Sequence, residues 1–477
     1  MHMNIGTKGL SLLTAFCLLL GGNMATAFSK EWTANDDGVA LQDIMTELGL
    51  ADGAESELTL DAELQKIAAD ALAKYSNPQA IGVVVVMDME GRVLAMTDNQ
   101  QDGVPQALIA SGAPGRAIFP VTALAALSTG QFLLEETITD ESPFDLYEAT
   151  NPPGCWIAPE QQWRHQQQSL SAAFANACDY CFYVLASRIS AEDWVKTGSA
   201  LGLDSLSGLG LSIEQTGVLP CQATVYHPER SPKEQDLPIG EVVYAALIAH
   251  LRQQAEANGV TASDDAFAPC AEALLKMAVE KNQPEWIPAI REIVGEQLAF
   301  PESALMSRDL IELTYNYLCQ IKWTGDKMTR AAVGGSVTQI TPIAMARYWT
   351  TLGNGGRLYK ASLLKKDAPE LIADYSGEIG DYLPVIREGL SGLVDATGTS
   401  HRAYRDWDQR YNISVVASSL AVEQSAADAT GTWLTALFPQ EQPEITVVVF
   451  LEQGGQTNAA GEIFIRTVDQ YLAGQAR

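Results

Sequence analysis

APGRAIFPVTALAAL, residues Ala113 to Leu127, is the stretch on which the reading of this chain turns. Pro114 and Gly115 interrupt whatever precedes them, and from Arg116 onward Val121, Leu124, Ala125 and Leu127 recur at helical spacing. The pattern predicts a helix that stops near Gly130. The first turn of such a helix has backbone N–H groups with no partner inside the helix, a setting able to hold an oxyanion beside a nucleophile. Here that turn offers only Arg116 and Phe119. A guanidinium cannot be acylated and a phenyl ring cannot take or relay a proton, so without a nucleophile this is only a helix start.

Outward from this stretch the pattern is that of a large mixed domain. Upstream, LTLDAELQKIAADALAKY (Leu58 to Tyr75) places Leu64, Ile67, Ala68, Ala71 and Leu72 on one helical face, with Asp61 as N-cap. IGVVVVMD (Ile81 to Asp88) is a continuous apolar run that Gly91 turns into Arg92 to Met96, a hairpin of buried strands. Gly103, Pro105, Gly112 and Pro114 mark a loop between this hairpin and the opening stretch. Downstream, Ala191 to Leu201 reads as an amphipathic helix. Glu241 to Ala257, Ala266 to Lys281 and Ser303 to Ile321 have apolar residues at three- and four-residue spacing. Thr341-Pro342 opens a further helix, and others are expected over Val385 to Asp395 and Ala459 to Leu472.

Taken with their order and spacing, these segments resemble the transpeptidase domain of class B penicillin-binding proteins, the serine D,D-transpeptidases of bacterial wall synthesis. The opening stretch is similar to that family's PGSTFKPVTALAAL. LTLDAELQ resembles its T-x-D-x-x-L-Q helix, and the hairpin resembles A-x-V-V-x-D-x-x-G-x-V-L-A-M. Leu170 to Ala186 (LSAAFANACDYCFYVLA) resembles L-x-x-A-L-x-x-S-C-N-x-x-F-Y-x-L-A. Ala331 to Gly356 resembles the A-x-G-Q-G-x-x-x-T-P segment, with Gly335 in place of the glutamine. WLTALFP (Trp433 to Pro439) and EITVVVFLE (Glu444 to Glu452) are similar to the family's last two strands. The resemblance implies an α+β fold of the penicillin-binding protein and β-lactamase-like kind: a central antiparallel sheet flanked by helices, with a helical insertion. Its divisions are expected as residues 1–27 (signal peptide or anchor), 28–57 (a short acidic segment in place of any further module), 58–224 and 329–477 (the two parts of the transpeptidase-like domain) and 225–328 (the insertion).

The resemblance also locates three catalytic motifs, and all three are degenerate. Arg116 stands where the family has its acylated serine and Phe119 where it has lysine. The S-x-N triplet reads Ala177-Cys178-Asp179, losing the hydroxyl and turning the amide into a carboxylate. The strand Ile413 to Val422 (ISVVASSLAV) puts Ser419-Leu420-Ala421 where K-T-G belongs, so the carboxylate-binding cation is missing. Two look-alikes are set aside: Lys196-Thr197-Gly198 falls within a helix, and Ser362 to Lys365 (SLLK) follows a surface segment. Because an arginine and a carboxylate replaced groups that face each other across the family's cleft, Arg116 and Asp179 are expected to form an ion pair closing it.

Composition bounds the rest. The 477 residues are 47% hydrophobic, enough for a large core, and 59 acidic against 30 basic residues give a formal charge of -29. Nucleic acid is thereby excluded as a partner and anionic lipid disfavoured. Lys8, the apolar run Leu10 to Gly22 and Ala25-Thr26-Ala27 read as an export signal. An uncleaved anchor over Gly9 to Phe28 is the alternative and the one route to a membrane. Export would place the chain in the periplasm or at the cell surface. Cys155, Cys178, Cys181, Cys221, Cys270 and Cys319 permit disulfides whose pairing the sequence leaves open. The histidines, His165 among them, lack metal-ligand spacing, so neither metal nor cofactor is expected.

The expected function is that of an exported transpeptidase-fold pseudoenzyme. It would be a partner or scaffold for cell-wall synthesis or division proteins, or a binder of peptidoglycan peptide, with no catalytic residue. The alternative is an active transpeptidase, carboxypeptidase or β-lactamase-like hydrolase using Cys178, Asp179, Ser418 or Ser419. None of these has a base visible beside it in the sequence.

Overall fold

The computed structural model describes residues 44–50, 54–100, 103–147, 152–157, 164–335, 337–394, 404, 406–409, 412–421, 430–453 and 459–475. The export signal or anchor and residues 28–43 of the acidic segment lie outside the described residues, as does Val422. The chain divides into two compact units, Met1–Leu219 with Thr329–Arg477, and Pro220–Met328.

In chain order the longer elements begin with α1 (Ala62–Tyr75), β1 (Gly82–Asp88), β2 (Val93–Asp98) and α2 (Phe119–Ser128). They continue with α3 (Leu170–Ala175), α4 (Asp179–Arg188) and α5 (Ala191–Ala200). The second unit contributes α6 (Ile239–Ala257), α7 (Phe267–Glu280), α8 (Trp286–Leu298) and α9 (Arg308–Ile321). The first unit resumes with α10 (Pro342–Gly353), β3 (Arg357–Tyr359), β4 (Leu371–Asp374) and α11 (Leu383–Gly392). It ends with β5 (Ser414–Ala421), β6 (Thr430–Phe438), β7 (Ile445–Leu451) and α12 (Ala459–Gln475).

The first unit is built on a five-stranded antiparallel sheet in the order β2-β1-β7-β6-β5. β1 reads as unbroken valine because both its faces are covered. Val84 and Val86 join Leu64, Leu72, Val447, Val449, Ile463 and Phe464 in a core beneath α1 and α12. Val83, Val85, Val448 and Phe450 are equally buried on the other face, where α10 packs on β1 and β7. At the hairpin tip Gly91 has φ +87, and a β-carbon there would meet the Lys360 carbonyl oxygen at 2.5 Å. Asp61 caps α1 as expected, accepting from the Leu64 amide at 2.8 Å. The expected α+β architecture, with its central antiparallel sheet, flanking helices and helical insertion, is the observed one.

α2 is apolar all round and buried from Phe119 to Leu127, the pattern of a helix enclosed by its own domain. The helix expected from Arg116 begins differently, with a 3-10 turn at Gly115–Ile118 before the α-helix proper. Pro120 has no N–H to return to the Arg116 carbonyl, so that carbonyl is taken by the Phe119 amide in the tighter i to i+3 pattern.

The second unit is helical, with Leu247, Leu251, Leu274, Leu275, Ile290 and Val294 fully buried. Helix α8 was not anticipated, although Trp286, Ile290, Val294 and Leu298 are its buried face at four-residue spacing. The single helix expected over Ser303 to Ile321 is instead a short turn, Glu302–Leu305, followed by α9, because Ser307 is extended (ψ 133).

Candidate functional site

The three motif positions converge at the start of α2. Gly115 adopts φ +53 and donates its amide to the Gly334 carbonyl at 3.2 Å, which turns the chain so that Arg116 faces α4. Phe119 points inward: its ring stacks on Phe182 of α4 with centroids 3.7 Å apart and planes at 19°, and Phe182 meets Phe174 edge-on at 5.0 Å. Phe119, where the sequence resemblance puts the family's lysine, is therefore part of an aromatic core. β5, carrying Ser418 and Ser419-Leu420-Ala421, runs beside the 115–118 turn, with Ser419 opposite Thr432 and Leu420 opposite Gly431 on β6.

The second motif is a helix–helix turn. The Cys178 amide closes on Ala173 at 2.9 Å, and Ala177 takes φ +47, an uncommon conformation for a residue with a side chain. This sets Asp179 as the first residue of α4, where the positive end of the helix favours a carboxylate. Arg116 and Asp179 form the expected pair in two-pronged geometry: Nε donates to Oδ1 and Nη2 to Oδ2, each at 2.9 Å. Their side chains are 26% and 15% exposed. The Trp156 amide adds a third bond to Asp179 Oδ2 at 3.2 Å, and the Trp156 indole donates to the Asn176 carbonyl at 3.1 Å. The arrangement is a closed latch over the start of α2, with Nε and Nη2 of Arg116 each bonded to an oxygen of Asp179. Asp179→Asn, which keeps the shape and removes the charge, is expected to cost about 2 kcal/mol, the scale of hydrogen bonds to a charged group. A lower urea midpoint at unchanged slope is the measurement, and Arg116→Gln on that background should add little more.

The look-alike motifs lie elsewhere. Lys196-Thr197-Gly198 is inside α5, where the Thr197 hydroxyl donates to the Asp193 carbonyl and Gly198 makes room for Leu219. Ser362 and Leu364 bridge to Arg92 and Leu58 rather than to α2.

Directly beneath the latch the structure assembles a group that linear spacing did not reveal. A two-residue ladder, Ile138–Thr139 with Gln167–Gln168, aligns the following Asp140 with His165. The Asp140 amide donates to the His165 carbonyl, and the His165 amide returns a bond to Asp140 Oδ2 at 3.2 Å. The Ser142 amide and hydroxyl both donate to Asp140 Oδ1, at 3.0 and 2.6 Å, and the Ser142 hydroxyl accepts from the Cys155 amide at 3.0 Å. The result is a ring of four donors: Cys155 Sγ to Cys178 Sγ 3.8 Å, Cys155 Sγ to His165 Nδ1 3.4 Å, His165 Nδ1 to Asp140 Oδ2 3.5 Å, and Cys178 Sγ to Asp140 Oδ2 3.9 Å. All four atoms lie within 4.8 Å of one another.

These separations are close to the edges of a tetrahedron about a zinc ion with Zn–S near 2.3 Å and Zn–N near 2.0 Å, which puts two sulfurs about 3.8 Å apart. Two soft sulfurs, an imidazole and a carboxylate are the donor types zinc takes. The expectation of no metal rested on spacing along the chain, and the residues present fit one. The Cys155 thiol is pushed up from its ordinary pKa by its hydrogen bond with Cys178 and by burial. Cys178 is also raised: the bond from Cys155 lowers it, but contact with Cys181 and burial outweigh that. A cation bound here would take the sulfurs as thiolates and release their protons. All six described cysteines are thiols.

Comparison with known proteins bears on the fold. Residues 82–244 match the family model of the penicillin binding protein transpeptidase domain. No curated protein matches the chain in sequence. Among solved structures it is similar to the penicillin-binding protein PBP2 of Helicobacter pylori in its complex with MreC. The TM-score is 0.60 at 16% identity, over 88% of this chain and 64% of that one. It is similar also to Pseudomonas aeruginosa PBP2 in complex with WCK 5153 (TM-score 0.57, 16% identity, 87% of this chain and 78% of that one). A third is the transpeptidase domain of Burkholderia pseudomallei penicillin-binding protein 3 (0.57, 14%, 89% and 98%). At these identities the likeness is one of fold, and the chain spans 64% of the length of the Helicobacter protein. Residues 82–244 thus match the penicillin binding protein transpeptidase domain, and over most of its length the chain has the fold of such domains.

Proposed function

We propose that the protein is an exported, non-catalytic member of this fold that serves as a partner or scaffold in peptidoglycan synthesis or division. The observation that carries this reading is the two-pronged Arg116–Asp179 pair at the start of α2. The position that would need a free hydroxyl holds a cation already bound to a carboxylate, and the position that would need a base holds a ring stacked at 3.7 Å on Phe182. Such a site has nothing to acylate. The sheet and its helices do not depend on the missing groups, so the fold remains available for binding. That a Helicobacter PBP2 of the same fold was solved in complex with MreC supports a partner role. The signal-like residues 1–27 support export, and among the described residues no helix is long and apolar enough to cross a membrane.

Fluorescent penicillin tests the non-catalytic reading. The purified chain is expected to show no label surviving denaturation, under conditions in which an active penicillin-binding protein is labelled fully. A stable covalent adduct on any residue, Cys178, Ser418 and Ser419 included, would overturn it. Purification from its native envelope is expected to bring wall-synthesis proteins with it, and recovery of the chain alone after crosslinking would count against the partner role.

A further inference from the structure

The four-donor cluster has a feature that a zinc site made of carboxylates and imidazoles lacks. Two of its ligands, Cys155 and Cys178, are neighbouring sulfurs, fully buried and 3.8 Å apart. They need to close by about 1.8 Å to reach disulfide bonding distance. Trp156, which follows Cys155 directly, is 46% exposed. Cys178 is followed by Asp179, and Trp156 and Asp179 are themselves joined by a hydrogen bond. A crosslink between these sulfurs, through a metal or directly, therefore ties together the two segments that carry Trp156 and Asp179.

We propose that Cys155 and Cys178 act as a dithiol with two alternative bonded states: with Asp140 and His165 they hold a zinc ion, and on reaction with a disulfide oxidant they bond to each other and release it. The exchange balances. One cysteine sulfur attacks the S–S bond of the oxidant, expels one of its thiolates and leaves a mixed disulfide. The second cysteine sulfur attacks that mixed bond and expels the other thiolate. One S–S bond breaks and one forms. The two cysteine sulfurs lose two electrons in all, the two oxidant sulfurs gain them, and the zinc ion departs as Zn²⁺ because the disulfide leaves it without its two thiolate ligands. The His165 amide donates to Asp140 Oδ2, a bond that involves neither sulfur. This inference stands whether or not the domain is catalytic.

The test uses the full chain, reduced, shown to be folded by circular dichroism, and loaded with zinc chloride. About one zinc per chain is expected to remain after gel filtration. Oxidised glutathione should then release it to a chromogenic zinc indicator, in step with the loss of two titratable thiols. The denatured chain should become two hydrogens lighter, and digestion should yield one crosslinked peptide pair joining Cys155 to Cys178. Cys181→Ser, which removes a neighbouring thiol outside the ring of four, should leave every one of these readings unchanged. Cys155→Ser should weaken zinc binding by about tenfold or more, the factor produced by a ligand energy loss of about 1.4 kcal/mol. With glutathione it should give only a mixed disulfide at Cys178. Failure of the folded, reduced chain to retain zinc would overturn the proposal. So would zinc retained through full reaction with glutathione, or a crosslink joining Cys178 to Cys181.

Discussion

Phe119→Lys, which installs the side chain that the family resemblance assigns to this place, is expected to destabilise the protein by about 4 kcal/mol rather than move it toward activity. Phe119 is 2% exposed, and its ring is one layer of the Phe119–Phe182–Phe174 stack. Removing a buried ring of this size costs about 3–5 kcal/mol in lost contacts and residual cavity. The incoming ammonium adds a desolvation cost, and the carboxylate of the latch, Asp179, is already committed to both prongs of Arg116. Set against a typical total of about 5–15 kcal/mol, such a loss lowers the urea midpoint severely or prevents folding at 37 °C. Phe119→Leu, still apolar, should cost only about 1–1.5 kcal/mol. The double variant Arg116→Ser with Phe119→Lys should cost less than the sum of its parts, because Asp179 is then free to receive the lysine. Strict additivity, or a Phe119→Lys protein as stable as the parent, would show that the ring is not integrated into the core as described.

Gly334→Ala is expected to cost about 3 kcal/mol and to disturb the turn that presents Arg116. Gly334 has φ +83, and a β-carbon there would overlap the backbone nitrogen and carbonyl oxygen of Gly115. Backbone cannot rotate away as a side chain can, so the 115–118 turn must shift. Gly130→Ala provides the comparison, since Gly130 has a similar φ of +69 but nothing within 4 Å of the added carbon. It should cost only about 1–2 kcal/mol, the left-handed backbone penalty alone. The excess at Gly334, read from paired urea titrations, measures the backbone contact. Equal losses at the two sites would mean that the turn yields freely.

Much of the fold could be read along the chain because its signals are local. The valine run of β1, the turn at Gly91, the Asp61 cap and the Thr341-Pro342 start each depend on neighbours a few residues away. Helix α8 carries the same kind of signal, since Trp286, Ile290, Val294 and Leu298 repeat at four-residue spacing. The Arg116–Asp179 pair lay 63 residues apart. It was foreseen because the family resemblance put the two positions on facing elements and opposite charges then gave a reason for contact.

The donor ring is a different case. Asp140, Cys155, His165 and Cys178 follow no metal-ligand spacing. Two of them, Asp140 and His165, are brought level by a ladder of two residues, and the Cys155 amide is held by the Ser142 hydroxyl. By itself the sequence determined which groups exist: an arginine and a phenyl where the family resemblance expects a nucleophile and a base, and thiols whose pairing it left open. The tertiary structure decided which of them meet. Separations of 3.4 to 3.9 Å among four side chains depend on how loops close against packed helices, and no periodicity in the chain encodes that closure.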